Sequence, residues 1–474
     1  MSHIGIDLGT TYSAVATLDE SGRPVILKNK NEQESPKGNL TASAVLFKSD
    51  QVIVGEQARK RIGLSANVAA RFKRLMGTSK GIEADGRSHT PTELSALVLK
   101  RMKKIAEDNL GQIEKAVVTI PANFSNEARV ATMKAASMAG LNIEQIINEP
   151  TAAALHYAYQ HKGEVSGTYA VYDLGGGTFD ISVISINGGQ VDVITSNGIP
   201  KLGGVDFDSA LIELIAAKYK EETGENLDQE LYTLTDAEED KIKLSAKKRV
   251  IAGGLREDLE DETIFIERSE VEEAISGFIA QTEMTCETTI GEAGLNVEDI
   301  KGVILVGGST RIPIVRESVK RVFKQEPITT ENPDEAVALG AALYAAVDSP
   351  VSLGEVANHY FGTLVVDDRQ GVEKLTNDIL IEKNKKLPCR VTRSYFTASY
   401  GQRYVECEVT QSSNLETDPQ WVNIIWKGEL GPLPSGRPVG QEIEVTFRYD
   451  KNQIMHCSFK DVTSGKQTDV DIDT

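Results

Sequence analysis

Two segments of the chain repeat the same pattern, in which an aspartate ends an apolar run and a glycine-containing turn follows. The first is Ile6-Asp7-Leu8-Gly9-Thr10-Thr11-Tyr12, and the second is Tyr172-Asp173-Leu174-Gly175-Gly176-Gly177-Thr178. A second apolar run follows each turn, so each segment predicts a strand, a tight turn and a returning strand. Glycine lets the backbone approach a ligand closely, and successive N–H groups in such a turn bind anions. Two such turns facing each other would hold a polyphosphate from both sides.

The aspartate of each segment lies at a strand end, just before the turn. Asp7 and Asp173 are therefore well placed to hold a hydrated Mg²⁺ ion, which accepts carboxylate oxygens as ligands. The alternative, two unrelated β-turns, explains the glycines but not the repeated Asp-Leu-Gly. Neither segment is a Walker A loop, because no Gly-Lys-Ser/Thr follows, and neither is a Rossmann turn, which would begin a helix.

A third glycine-containing segment and a polar helix face suggest where a nucleoside would bind. Ile304–Val306 predicts a strand that runs into Gly307 and Gly308, and a helix is predicted from Ile314 to Phe323. Paired glycines at a strand end allow a flat ring and a ribose to lie against the backbone.

The polar face is formed by Glu238, Lys241 and Ser245, which are spaced i, i+3 and i+7 on a predicted helix. A purely structural alternative is that Thr235 and Glu238 form a capping box and that Lys241 is a solvated charge. The spacing alone favours this alternative.

The order of these motifs resembles the nucleotide-binding domain of the heat-shock protein 70 (DnaK-type) chaperones, in the actin and hexokinase superfamily. The most family-specific stretch is Ile146–Ala154, and the resemblance covers nearly the whole chain. It implies a duplicated, RNase H-like α/β ATPase domain at residues 1–347, a short linker at 348–354 and a peptide-binding β-sandwich at 355–474. The pattern itself agrees, since β-like and helical runs alternate up to about residue 347, and short alternating runs follow between 361 and 474.

The resemblance assigns a role to each matching residue. Lys73 would reach the γ-phosphate and the attacking water, and the catalytic set would also include Glu149, Asp173, Thr178 and Asp180. Asp7 and Asp173 would arrange Mg²⁺. The phosphate contacts would be Gly9, Thr10, Thr11, Tyr12, Gly175, Gly176, Gly177, Thr178, Gly203 and Gly204. The adenosine pocket would be Glu238, Lys241, Ser245, Gly307, Gly308, Ser309, Arg311, Ile312 and Asp334. The resemblance therefore makes nucleotide contact the favoured interpretation of Glu238 and Lys241.

The implied function is that of an ATP-hydrolysing chaperone of the stress response, which uses ATP or ADP with Mg²⁺ and binds unfolded or extended polypeptides. J-domain co-chaperones and nucleotide exchange factors are implied as partners. Gln145, which replaces a family arginine, and the short polar segment Thr78–His89, which predicts a trimmed lobe, count against both partners.

The C-terminal part of the chain also departs from the pattern of the family. Residues 345–350 run almost directly into Val351–Gly354, so the leucine-rich linker of the family is expected to be missing. Glu355 and Asn358 would stand at apolar positions of the peptide cleft, and the sequence stops at Thr474 where the family continues into a helical lid.

Two other functions stay open. The first is a small-molecule kinase on the same fold, although no acceptor site for a sugar is visible. The second is an ATP-gated scaffold whose β-domain binds one folded partner.

The composition of the chain limits which partners it could bind and in which cellular compartment it would lie. A net charge of −19 works against binding to nucleic acid and to anionic membranes. The four cysteines contain no Cys-x-x-Cys pair, which is typical of a reduced cytosolic protein. No apolar run approaches the roughly 20 residues of a membrane span, and no signal peptide precedes the first strand. We therefore expect a cytoplasmic protein.

Overall fold

The computed structural model describes residues 2–29, 38–49, 51–228, 230–255, 264–330, 332–346, 352–367, 373–451 and 453–472. They form two compact units. The first comprises Met1–Phe124 and Ala131–Leu353, and the second comprises Ser125–Val130 and Gly354–Thr474. Most of the predicted linker, at 348–351, lies outside the described residues.

The first unit is built from strands and helices that alternate along the chain. Its strands are β1 (Ser2–Asp7), β2 (Tyr12–Leu18), β3 (Pro24–Ile26), β4 (Thr41–Ala42), β5 (Ala44–Lys48), β6 (Gln51–Val54), β7 (Val68–Ala70), β8 (Ile82–Ala84), β9 (Arg87–His89), β10 (Ile113–Ile120), β11 (Ile143–Asn148), β12 (Ser166–Leu174), β13 (Phe179–Asn187), β14 (Gln190–Ile199), β15 (Arg249–Ile251), β16 (Phe265–Glu267), β17 (Ile300–Val306), β18 (Ile328–Thr329) and β19 (Ser352–Gly354). The helices are α1 (Glu56–Arg59), α2 (Pro91–Leu110), α3 (Asn126–Met138), α4 (Glu149–Gln160), α5 (Gly204–Thr223), α6 (Leu234–Ala246), α7 (Arg268–Ala274), α8 (Ser276–Glu292), α9 (Pro313–Phe323) and α10 (Ala336–Ala345).

Two sheets of this unit have the same strand arrangement. Their orders are β11-β10-β1-β2-β3, with β4 also on β2, and β18-β17-β12-β13-β14-β19. In each sheet, one strand carries an aspartate as its last or next-to-last residue, Asp7 in β1 and Asp173 in β12. That strand has a parallel neighbour on one side and an antiparallel returning strand on the other. The predicted strand–turn–strand units are therefore confirmed, and the repeated sequence corresponds to a repeated structure.

Helices α4 and α10 pack against each other unusually closely. A Cβ atom on Gly340 of α10 would lie only 1.7 Å from the carbonyl oxygen of Ala152 in α4. The run Ala152-Ala153-Ala154 is almost fully buried, so small side chains on both helices allow this approach. This packing gives the family-specific Glu-Pro-Thr-Ala-Ala-Ala sequence a physical reason.

Two helix predictions need correction. The helix predicted at 269–293 is two helices, α7 and α8, which meet at Ile275. The last helix of the unit begins at Ala336 rather than at Pro333, because the N–H groups of Glu335 and Ala336 both donate to the carbonyl of Asn332 in a turn.

From residue 360 onward, the described part of the second unit consists of β-strands and one 3₁₀ helix, Pro419–Trp421. The strands are β20 (Tyr360–Asp367), β21 (Lys374–Ile381), β22 (Cys389–Phe396), β23 (Val405–Ser412), β24 (Asn423–Leu430), β25 (Glu442–Tyr449), β26 (Met455–Asp461) and β27 (Gln467–Asp471). They form two four-stranded antiparallel sheets in the orders β21-β20-β23-β24 and β22-β25-β26-β27. Inward side chains from both sheets, among them Phe361, Val409 and Phe447, share one core.

The residues Ser352–Gly354, predicted as the end of the linker, form a strand instead. They form β19, the edge strand beside β14 in the first unit's second sheet. The first strand of the β-unit is β20, which the sequence patterns did not predict.

Glu355 and Asn358 are not positions of an open cleft. They are 8% and 2% exposed. Both lie before β20, where the N–H of Leu387 donates to the carbonyl of Glu355 and Val356 bridges to Lys386. Their polar character therefore says nothing about a cleft.

Candidate functional site

A cavity of about 970 Å³, including its open mouth, lies in the first unit beside the glycine turns of the two sheets. Most of the predicted site residues line it. They are Asp7, Gly9, Thr10, Thr11, Tyr12, Lys73, Glu149, Asp173, Gly175, Gly176, Thr178, Gly204, Glu238, Lys241, Ser245, Gly307, Gly308, Ser309, Ile312 and Asp334. Four predicted residues, Gly177, Asp180, Gly203 and Arg311, do not line it.

The two predicted phosphate turns contact each other directly. A Cβ atom on Gly176 would lie 2.1 Å from the hydroxyl of Thr11, and one on Gly177 would lie 2.6 Å from the side chain of Thr10. A Cβ atom on Gly203 would lie 2.7 Å from the backbone of the second turn. Gly177 and Gly203 therefore serve the close approach of the turns rather than the lining of the cavity.

A buried lysine and several carboxylates lie at one end of the cavity. Nζ of Lys73 lies 2.5 Å from Oε1 of Glu149. Burial and the nearby Glu149 raise the pKa of Asp7 to about 7. Burial, followed by Glu149 and Asp180, raises the pKa of Asp173 well above its usual value. Burial alone would lower the pKa of Lys73, but Glu149 and Asp7 raise it.

The carboxylates fit a hydrated Mg²⁺ ion. Asp7 and Asp173 line the cavity from the ends of β1 and β12. No group of three or more histidine, cysteine or acidic side chains in the described ranges could hold a metal ion by itself. One or two carboxylates, completed by water and phosphate oxygens, is the usual protein environment of Mg²⁺.

Asp180 is buried behind the cavity. It lies opposite Asp173 in the β12–β13 pair and accepts a hydrogen bond of 3.1 Å from the backbone N–H of Asn123. Its charge still acts on the cavity, since it is one of the groups that raise the pKa of Asp173.

The polar face of α6 is fixed by charged partners. Arg59 donates to Glu238 over 3.0 Å, and Lys241 contacts Asp208 at 2.5 Å and the carbonyl of Gly204 at 2.8 Å. The helix is capped by Thr233 with Asp236, two residues before the predicted box. The alternative of a Thr235–Glu238 cap with a solvated Lys241 is therefore wrong.

The third glycine segment, Gly307–Ser309, also lines the cavity. Gly307 has a φ of 82°, and a Cβ atom there would lie 2.4 Å from the carbonyl oxygen of Leu174. The hydroxyl of Ser309 donates to the carbonyl of Gly175 over 2.9 Å. Arg311 pairs with Asp334 over 3.1 Å, so Arg311 supports a residue that lines the cavity.

Seven lining residues were not predicted. They are Leu40, Val205, Asp208, Ile242, Val306, Pro333 and Val337. Most are apolar, so nothing in the sequence marks them as residues that contact a ligand. Asp208 had one signal, because it follows Gly204 by one turn of α5 and therefore lies on the same helix face.

A duplicated pair of α/β sheets, with a lysine and several carboxylates in a cavity beside two glycine turns, defines an ATPase-type nucleotide-binding domain. The family model described as Hsp70 protein matches the chain at residues 3–85 and 78–474. The chain belongs to the Hsp70 family. None of the described helices is both long enough and apolar enough to span a membrane.

Proposed function

We propose that this protein is an ATP-dependent chaperone that hydrolyses ATP with Mg²⁺ and binds unfolded or extended polypeptides. Membership of the Hsp70 family supports chaperone and ATPase function at the level of the family. The observation that carries the proposal for this chain is the Lys73–Glu149 pair beside Asp7 and Asp173 in one cavity.

The residues of the cavity are suited to phosphoryl transfer to water. This reaction needs a held γ-phosphate, neutralised charge and an in-line nucleophile, with little covalent chemistry from the protein. Bound Mg²⁺ would supply positive charge beside the phosphates, and Asp7 and Asp173 would hold it through water. Lys73 would orient the γ-phosphate and the attacking water, and Glu149 would keep the ammonium group in place.

Exposed aromatic side chains support peptide binding by the β-unit. Phe396, Tyr400 and Tyr404 are 64%, 75% and 49% exposed, and they occur within nine residues, from the last residue of β22 to the residue before β23. Exposed aromatic side chains so close together in the sequence are available to contact apolar segments of a polypeptide. They suit apolar extended segments of many polypeptides better than a single charged partner.

The remaining parts of the proposal rest on the family and on composition. J-domain co-chaperones and nucleotide exchange factors are the partners expected of the family, with Gln145 as the residue that counts most against the former. The four cysteines are free thiols, which suits the reducing cytoplasm.

Three measurements test this function. Release of inorganic phosphate from ATP, with and without Mg²⁺, tests hydrolysis, and a coupled assay with candidate acceptors tests the kinase alternative. A peptide array tests the β-unit. Binding of many apolar segments supports a chaperone, whereas an empty array with intact ATP hydrolysis supports the scaffold and contradicts the polypeptide part of the proposal.

A further inference from the structure

The first unit contains a cavity that shares no lining residue with the nucleotide cavity. We call it the hairpin cavity, because Arg87, Ser88 and His89 of the β8–β9 hairpin line it. It encloses about 750 Å³, including its open mouth. The other lining residues come from β5, β6, α2 and α3, so segments that are distant in the sequence meet at one hollow. The proposed function makes no use of this cavity.

Apolar side chains supply a large part of the lining of the hairpin cavity. Phe47 and Val52 lie opposite each other in the β5–β6 pair, and Ala96 and Leu97 come from α2. Met138 is the last residue of α3. Val52 and Met138 are 47% and 52% exposed, although both are apolar. Ligand sites are typically apolar hollows with a few polar groups, and exposed apolar side chains that meet at a hollow fit that description.

Contacts with Phe47 and His89 position a guanidinium group on this lining. The rings of Phe47 and His89 are stacked, with 4.2 Å between their centroids and 16° between their planes. Cζ of Arg87 lies 5.9 Å from the centroid of Phe47, and Nε of Arg87 lies 3.2 Å from Nε2 of His89. Arg87 is exposed, so its terminal nitrogen atoms stay accessible while its stem is held against the two rings.

The cations of the hairpin cavity have no acidic partner. Among the residues that the structure describes, neither Arg87 nor Lys100 forms an ion pair. Glu93 is the acidic side chain of the lining, and its carboxylate accepts hydrogen bonds of 2.8 and 3.0 Å from Thr90 in the capping box of α2. The lining therefore carries more positive than negative charge, in a chain whose net charge is −19. An anion could pair with both cations without displacing an existing ion pair.

We propose that the hairpin cavity binds a small aromatic carboxylate, a ligand that goes beyond the proposed function. The ring would contact Val52, Leu97 and Met138, and the carboxylate would pair with Arg87 and Lys100. Arginine suits this task because its planar donors match carboxylate oxygens in pairs. An aromatic body is favoured over an aliphatic one, because methionine sulfur makes favourable contacts with aromatic rings and a guanidinium stacks on their faces.

The test compares 2-naphthoate with 2-naphthylmethanol, a neutral molecule of similar shape. Binding of each probe to the full chain is measured by calorimetry. The apolar contacts are the same for both probes, whereas only naphthoate can form charged hydrogen bonds with the two cations. We therefore expect the wild-type protein to bind naphthoate about fivefold or more tightly than the alcohol.

Two variants test the cations. Arg87→Gln and Lys100→Gln each remove a charge from an exposed side chain, so the fold should be kept. Each should weaken naphthoate binding about fivefold or more and change binding of the alcohol by less than about twofold. Lys60→Gln is the matched control, because Lys60 is an exposed lysine of the same unit that does not line the cavity. It should leave both affinities unchanged.

A second pair of variants tests where the ring binds. Met138→Glu places a carboxylate on the apolar side of the cavity and should weaken naphthoate binding about tenfold or more. Leu64→Glu is its matched control, since Leu64 is 59% exposed and lies in the same unit but not on the lining. Naphthoate should bind this control as it binds the wild type. The pair separates binding in the hairpin cavity from binding to exposed aromatic side chains of the β-unit.

Four results would overturn the assignment. The absence of naphthoate binding to the wild type at about 1 mM would show that the cavity does not take this class of ligand. Equal affinities for naphthoate and the alcohol, or unchanged naphthoate affinity in both glutamine variants, would show that the cations do not contact the carboxylate. Unchanged naphthoate affinity in Met138→Glu would place the probe elsewhere on the protein.

Discussion

Nζ of Lys73 and Oε1 of Glu149 lie 2.5 Å apart, although 76 residues separate them in the sequence. Lys73 lies on the 3₁₀ helix after β7, and Glu149 is the first residue of α4. Both side chains are buried, and Asp7 and Asp173 share the same end of the cavity. One ammonium group thus serves several carboxylates, which leaves a negative site that attracts a divalent cation.

Replacing Lys73 with alanine should affect hydrolysis far more than binding. The lysine acts where charge develops during attack by water, so its loss should lower kcat by about 100-fold or more. The affinity for ADP should change by less than about threefold, because the glycine turns and the adenosine wall remain. Single-turnover hydrolysis measures the change in rate, and equilibrium binding measures the change in ADP affinity. Equal losses in both would mean that Lys73 only binds the ground state.

Replacing Asp173 with asparagine should weaken Mg²⁺-ATP binding and stabilise the ligand-free protein at the same time. The pKa of Asp173 is raised, so at neutral pH its ionised form is less favourable in the folded state than in the unfolded chain. A carboxyl group with a raised pKa in the folded protein contributes to stability below the pKa that it has in the unfolded chain. This stabilising contribution is lost as the pH rises through its pKa in the folded protein. A permanently neutral asparagine avoids that loss.

The stability of this variant is measured by thermal unfolding without nucleotide at pH 7, and metal binding by Mg²⁺ titration of the ATP complex. We expect a higher melting temperature and a weaker Mg²⁺ dependence than in the wild type. A lower melting temperature would show that the carboxylate is paired in the folded state, and an unchanged titration would remove Asp173 from the metal site.

The features that the sequence predicted well are those with a local chemical cause. The turns after Asp7 and Asp173 are predictable because glycine, aspartate and apolar runs occur within a few residues of one another. The contacts of Arg59 with Glu238 and of Lys241 with Asp208 were not predictable, since they join residues far apart whose pairing depends on the fold. Such pairs explain why Glu238 belongs to the cavity and not to a helix cap.

Short segments were the other source of error. Ser352–Gly354 has only three residues, and no pattern of that length distinguishes a linker from an edge strand of the ATPase sheet. β20 was missed because buried and half-buried positions follow one another along it without clear alternation. In both cases the structure of the segment depends on the strands with which it pairs in the fold, and not on its local sequence alone.

Gly308 offers a direct test of the adenosine pocket. Valine at this position would place a branched side chain on the cavity wall and should reduce ADP and ATP affinity by about 100-fold or more. Gly307 is unsuitable for the same test, because its φ of 82° and its contact with Leu174 make any substitution strained. Calorimetry measures the ADP affinity of the variant, and a circular dichroism spectrum verifies that it is folded. Normal ADP affinity in Gly308→Val would place the adenosine elsewhere.

A pair of glycine substitutions tests the packing of α4 on α10. Gly340→Ala should destabilise the first unit by about 2 kcal/mol or more, because the added Cβ atom would meet the carbonyl of Ala152. Gly291→Ala in α8 is the matched control, since its Cβ atom would enter open space. That change should be neutral or stabilising by about 0.5 kcal/mol. Chemical denaturation of both variants tests the difference, and equal stabilities would contradict the close helix contact.

His156 of α4 should make the first unit sensitive to acid. Burial lowers the pKa of this histidine to about 4, whereas an unfolded histidine titrates near 6.5. Below about pH 6.5 the unfolded chain gains a proton that the folded state excludes, so stability falls as pH decreases towards 4. At pH 5 the loss relative to pH 7.5 should be about 2 kcal/mol.

The variant His156→Leu removes the titrating group while keeping an apolar side chain of similar size within α4. Unfolding of the wild type and the variant is followed in urea at pH 7.5 and pH 5, using the transition that Mg²⁺-ADP shifts and that therefore belongs to the nucleotide-binding unit. The difference in unfolding free energy between the two proteins should move by about 2 kcal/mol in favour of leucine at the lower pH. A difference that stays the same at both pH values would show that His156 takes up its proton without cost in the folded protein.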